Sequence, residues 1–185
     1  MPKTIPFATV FALFHYPAHG LEVVTICPLG NDGSHELRLL RDHSIDSSAI
    51  YCVSEDSRAP TRIYPGEENQ SRGDSAQALC IGKKERVLLV TGEFGSNYLQ
   101  GVAIRYNTQA QRTERIDFAE RERPSAVDLS SRGMLVVIPN TGRNESSRRY
   151  VIYRYVRGEG THSEQTYSDR LPGAALTRIA VPSPK

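Results

Sequence analysis

Residues 86–90 read Arg86-Val87-Leu88-Leu89-Val90, and two further apolar runs follow: Val102-Ala103-Ile104-Arg105-Tyr106 and Glu114-Arg115-Ile116-Asp117-Phe118. Runs of four to eight residues rich in Val, Ile, Leu and aromatics, bounded by Gly, Asn or Pro, signal strands. The same three-part order returns as residues 134–138, 151–155 and 164–167. A weaker earlier copy occupies residues 35–40, 49–53 and 61–64. Leu88 lies 47 positions before Leu135, Tyr106 lies 49 before Tyr155, and Ala49 lies 54 before Ala103. A period of roughly 40–50 residues with three or four strands per unit is the pattern of propeller blades. One such sheet cannot bury both faces, so neighbouring units must stack. Three units are too few to close a ring, which normally takes about four or more blades. The expected fold is therefore all-β, a partial β-propeller-like stack of antiparallel β-meanders. A distorted β-sandwich built from the same hairpins is the alternative.

Working outward, residues 21–185 are expected to form one domain of about three blade-like repeats, a size that buries a real core. Hydrophobic residues make up 38% and charged residues 24%, without runs of like charge, which excludes a disordered chain. The 23 Lys and Arg are scattered among 21 Asp and Glu, so the basic face of a nucleic-acid binder is not expected. Residues 1–20 place Lys3 before a mostly apolar stretch, and Ala18-His19-Gly20 offers a small-residue cleavage site. This is the form of a secretory signal peptide, with Leu21 as the mature N-terminus, and the stretch is too short to span a bilayer. Such a leader predicts a periplasmic location. Cys27, Cys52 and Cys80 lack the CxxC spacing of a zinc site, and in an oxidising compartment two of the three can pair.

Elsewhere the chain offers punctuation rather than chemistry. Residues 117–123, with Ala119, Glu120, Arg121 and Glu122 before Pro124, are the best helix candidate. Residues 70–75 read as a polar linker that contains Arg72-Gly73-Asp74, and residues 143–149 as an arginine-rich solvated hairpin loop. Asn31-Asp32-Gly33 lacks the remaining spacing of a calcium loop and reads as a hairpin turn. His35, His43 and His162 fall at strand ends or in loops with no nucleophile and orienting group beside them. The carboxylates Glu67, Glu68, Asp117, Glu120 and Glu122 show no convergence across a cleft. No catalytic residue, metal or cofactor is expected, and the chain is not expected to be an enzyme.

One loop stands apart. Between the first two strands of the middle copy lies Gly92-Glu93-Phe94-Gly95-Ser96-Asn97-Tyr98-Leu99-Gln100-Gly101. Its glycines permit tight backbone geometry. Ser96 and Asn97 stand at the tip, while Phe94, Tyr98 and Leu99 either anchor the base or present contact area.

The string Arg86-Val87-Leu88-Leu89, then Glu93-Phe94, Gly95-Ser96 and Tyr106-Asn107, resembles a segment of the periplasmic immunity proteins that neutralise peptidoglycan amidase toxins of type VI secretion systems. The resemblance spans residues 85–137, about a third of the chain. It implies a partial propeller, a signal peptide, and a Ser-bearing loop inserted into the toxin's Cys–His active site. Carried over, Ser96 is the inhibitory hydroxyl, and Glu93 and Phe94 position the loop. Asn97 stands where the family pattern has a second serine, and the stretch from Tyr98 to Gly101 is longer. The expected partner surface is thus Glu93, Phe94, Gly95, Ser96, Asn97 and Tyr98, the partner a cognate toxin that degrades peptidoglycan, and the function inhibition by plugging its cleft. A non-catalytic envelope- or carbohydrate-binding β-domain is the alternative.

Overall fold

A computed structural model describes residues 20–42, 48–95, 98–142, 146–157, 163–173 and 176–183. The described residues form thirteen strands and one short 3-10 turn. The first unit is β1 (Glu22–Leu29), β2 (His35–Arg41), β3 (Ser48–Glu55) and β4 (Thr61–Arg62). The second is β5 (Arg72–Ile81), β6 (Val87–Phe94), β7 (Leu99–Asn107) and β8 (Arg112–Glu120). The third is β9 (Ala126–Ser130), β10 (Gly133–Pro139), β11 (Tyr150–Tyr155) and β12 (Ser163–Ser168), followed by β13 (Thr177–Ala180). All pairings are antiparallel. The strand order is β1-β2-β3-β5-β6-β7-β8, with β4 also on β3, in one sheet and β12-β11-β10-β9-β13 in the other. The fold is all-β, a stack of meanders that does not close into a barrel.

Each sequence repeat is one meander, preceded by an additional strand. The middle unit explains why residues 87–90 are apolar without interruption. Leu88, Val90, Val102 and Ile104 pack on Leu37, Leu39, Tyr51 and Ile63 of the first unit. Val87, Leu89, Ala103, Ile116 and Phe118 pack on Val127, Met134, Val136 and Tyr153 of the third. A strand covered on both faces has no side left for polar residues. The first unit folds back over the second at a corner where β3 and β5 pair through residues 48–50 and 72–74. A disulfide between Cys27 of β1 and Cys80 of β5 staples these two layers, and Cys52 remains a free, half-buried thiol.

Two local expectations are corrected and a third holds. Residues 117–120 belong to β8 rather than a helix: Glu114, Ile116, Phe118 and Glu120 are buried in strict alternation, and that two-residue period overrides helix propensity. Residues 72–75 are not linker but the start of β5, where the corner pairing with β3 satisfies a polar backbone. The hairpin from β1 to β2 does turn at residues 30–34, where Gly30 and Gly33 adopt φ of 78° and 70° and Asp32 accepts from the Ser34 N–H. The expected signal peptide, residues 1–20, lies outside the described residues apart from Gly20. His43, His162 and the tip of the 143–149 loop also lie outside them. Among the described residues, no helix is long and apolar enough to cross a membrane.

Candidate functional site: the groove beneath the β6–β7 hairpin

The singled-out loop is the β6–β7 hairpin, and its glycines serve packing as much as turning. A Cβ on Gly101 would overlap the Phe118 ring and the Val90 carbonyl, and a Cβ on Gly73 would stand 2.5 Å from the Phe94 ring. Gly95 alone turns the chain through the left-handed region, at φ 62°. Phe94 is 1% exposed and meets Tyr51 and Tyr64 edge-on, with ring centroids 5.7 and 5.2 Å away. Of the two roles open to it, Phe94 takes the anchor. Glu93, Gly95 and Tyr98 are exposed, Tyr98 by 49%. Ser96 and Asn97 lie outside the described residues.

Below this hairpin, between the second and third units, runs an open groove of about 1090 Å³. Glu93 and Tyr98 form part of one wall, and Arg121 and Arg123 rise from the segment joining β8 to β9. Arg123 Nη1 donates to Thr91 Oγ1 at 2.6 Å and to Gln77 Oε1 at 2.9 Å, which fixes the guanidinium against the floor. Arg121 stands over the Tyr98 ring, 5.5 Å from its centroid, with Nη2 3.5 Å from the phenol oxygen. A cation over an aromatic face holds both side chains at the rim. Prolines 124, 139 and 182 line the same groove and stiffen it. The groove thus carries a mixed-charge lining, Arg121 and Arg123 with Glu93 and Glu122, around the exposed Tyr98 ring.

Neither a protein-family model, nor a curated protein, nor a solved structure matches the chain. What the groove does must be argued from its own residues.

Several titratable groups near the groove and at the far end of the sheet have structural partners. Glu120 is buried and accepts from the Tyr153 hydroxyl at 3.0 Å and from Gln165 Nε2 at 3.1 Å, tying β8 to β11 and β12. Burial, reinforced by the Glu120 charge, pushes the Tyr153 phenol well above its ordinary range. Glu122 accepts from Thr141 at 2.9 Å, and Arg115 donates to Asp117 at 2.8 Å. These carboxylates do not converge on a common point. At the other end of the middle sheet, Arg105 and Glu114 form an ion pair at 2.8 Å, 1% and 0% exposed. Arg105 also donates to the Ser130 carbonyl, and Asn107 donates to Glu114 and to the Ser131 carbonyl. This network locks the β9–β10 turn onto the second unit.

Of the residues expected at the partner surface, Glu93 and Tyr98 line the groove and Phe94 is buried behind it; Gln77, Arg121 and Arg123 were not among those expected. The latter two lay in the supposed helix, and Gln77 lay in a strand unrecognised from its polar start. Arg105 carried a weak signal, a charge that follows the apolar run Val102-Ala103-Ile104 and precedes Tyr106; Glu114, between Thr113 and Arg115, carried none.

Proposed function

We propose that the chain is a non-enzymatic, periplasmic inhibitor of the immunity-protein kind, which presents the β6–β7 hairpin to the cleft of a peptidoglycan-degrading toxin. The observation that carries this reading is the anchoring of the hairpin. Phe94 is sunk among Tyr51 and Tyr64, while Glu93 and Tyr98 stand exposed at the mouth of a groove of mixed charge. A preorganised loop loses little entropy on docking, and Tyr gives a large contact area with few rotors. The Cys27–Cys80 bond fits an oxidising compartment. The sequence resemblance supplies the toxin class and gives Ser96 the role of the hydroxyl that meets the toxin's Cys–His pair.

The test is titration calorimetry of the purified protein against a cysteine-type peptidoglycan amidase encoded beside its gene, together with inhibition of cell-wall hydrolysis. Tight binding is expected for the wild type. Tyr98→Ala is expected to weaken it by about 2 kcal/mol, roughly thirtyfold, as hot-spot aromatics do. Ser96→Arg is expected to abolish inhibition by obstructing the cleft. Equal inhibition by both variants overturns the hairpin as the plug. Retention on purified sacculi without affinity for the amidase would favour the envelope-binding alternative instead.

A further inference from the structure

A second constellation lies away from the groove, where the first and second units meet. His35 opens β2, Glu55 closes β3, and Asp56 follows it in the chain. Adjacent residues of an extended strand point to opposite faces. Here Asp56 and Ser57 both adopt left-handed φ, 49° and 61°, and the chain turns so that both carboxylates reach one imidazole. One donor atom from each of His35, Glu55 and Asp56 lies within 4.8 Å of the other two. His35 Nδ1 and Asp56 Oδ2 are 2.8 Å apart.

We propose that His35, Glu55 and Asp56 bind a first-row divalent cation, Zn²⁺ being the best fit. The donor set is one imidazole nitrogen and two carboxylate oxygens, the kind of mixed N/O site that zinc accepts with water completing the coordination. Calcium and magnesium prefer oxygen alone, and soft monovalent copper prefers sulfur. Bond lengths near 2.0–2.2 Å place neighbouring ligand atoms of a tetrahedral ion about 3.3 Å apart. The His35–Asp56 contact therefore opens by roughly half an ångström while Glu55 closes in, a change within reach of side-chain rotation.

Each ligand is also held from outside the cluster, as metal ligands are. The His35 ring stacks on Tyr106 of β7 at 3.6 Å and 28°. Asp56 Oδ1 accepts from the Glu36 N–H at 2.8 Å, which leaves Oδ2 directed at His35. Glu55 Oε1 accepts from the Thr113 hydroxyl of β8. Two carboxylates give the cluster a net negative charge. The competing cation is Arg58, 4.0 Å from Glu55 and 75% exposed, which a divalent ion displaces readily. Ligands from the first unit with supports from the second make the ion a cross-link between layers. The site was invisible to spacing rules because its ligands are split between two strands twenty residues apart in sequence.

The test uses tag-free, EDTA-treated protein, since the chain contains five histidines and an affinity tag would mask the result. Calorimetry with ZnCl₂ is expected to show one ion per chain, and CoCl₂ to give the visible bands of a low-coordinate site. His35→Ala and Asp56→Asn are each expected to weaken zinc binding at least tenfold, while His162→Ala leaves it unchanged. Zinc is expected to raise the thermal midpoint of the wild type and not of His35→Ala. Asp56→Asn keeps an acceptor for the Glu36 N–H, so it reports on the site even if His35→Ala fails to fold. Absence of stoichiometric zinc binding by the wild type, or binding unaltered in both variants, overturns the assignment.

Discussion

Phe94 illustrates how a residue singled out for contact can turn out to hold the contact surface in place. Its ring fills the space that Gly73 leaves open and meets two tyrosines, so Phe94→Ala removes about 3–5 kcal/mol, read from the midpoint of a denaturant curve. Binding at the hairpin should weaken with it, because Glu93 and Tyr98 lose their common footing. The cysteines make a separate, chemical prediction. Unfolding without reductant should expose one alkylatable thiol and unfolding with reductant three, since Cys27 and Cys80 are bonded and Cys52 is not. Burial raises the Cys52 thiol above its usual pKa, so in the native protein it should label slowly at pH 8. Asp56 titrates in the opposite sense. The Glu36 N–H and His35 hold its carboxyl below the ordinary value of 3.8. A depressed folded pKa adds stability above that value and loses it as the pH falls through the folded one. In the metal-free protein, the stability difference between wild type and Asp56→Asn should therefore be full above about pH 4 and close below it.

At the scale of elements, the repeat was legible because β2, β3, β6 to β8, β10 and β11 carry apolar residues that face the cores, while β4 and β12 are short or polar. The strands that begin the second and third units were not legible. β5 opens on Arg72-Gly73-Asp74 because its first residues pair at an exposed corner, and Gly73 is there for the Phe94 ring rather than for a turn. β9 is five residues long and includes Asp128, whose carboxylate is buried against Arg178 at 2.7 Å. The false helix at 117–123 shows the same limit from the other side, because good helix formers were set on a strand whose inward positions alternate. The groove inherited that error, which is why its arginines went unread. The Arg105–Glu114 pair yields the sharpest test here. Glu114→Ala leaves the buried Arg105 guanidinium with only the half-buried Glu85, 3.8 Å away, and should cost about 3 kcal/mol, measured by urea unfolding. Replacing both residues by apolar ones of similar volume should recover much of that loss.

Across the whole molecule, three layers share one double-sided sheet, and the two interfaces are secured by different means. Between the first layer and the second, the Cys27–Cys80 bond is added to apolar packing. The third layer is joined to the second by apolar packing, the Arg105 network and Tyr153. Reduction should therefore loosen the first unit selectively, by about 2–4 kcal/mol, with hydrogen exchange rising in β1 and β2 before β10 and β11. The hairpin's anchor, Phe94, packs on Tyr51 and Tyr64 of the first unit, so binding through the hairpin should weaken on reduction as that unit loosens.

The last strand bears on how the molecule is made. β13 hydrogen-bonds to β9 and not to β12, its predecessor in the chain, so the five-stranded sheet places its latest strand beside its earliest. Asp128 waits, uncompensated, until Arg178 arrives fifty residues later. A ribosome delivering this chain from its N-terminus therefore cannot release a finished third unit until Ala180 has emerged.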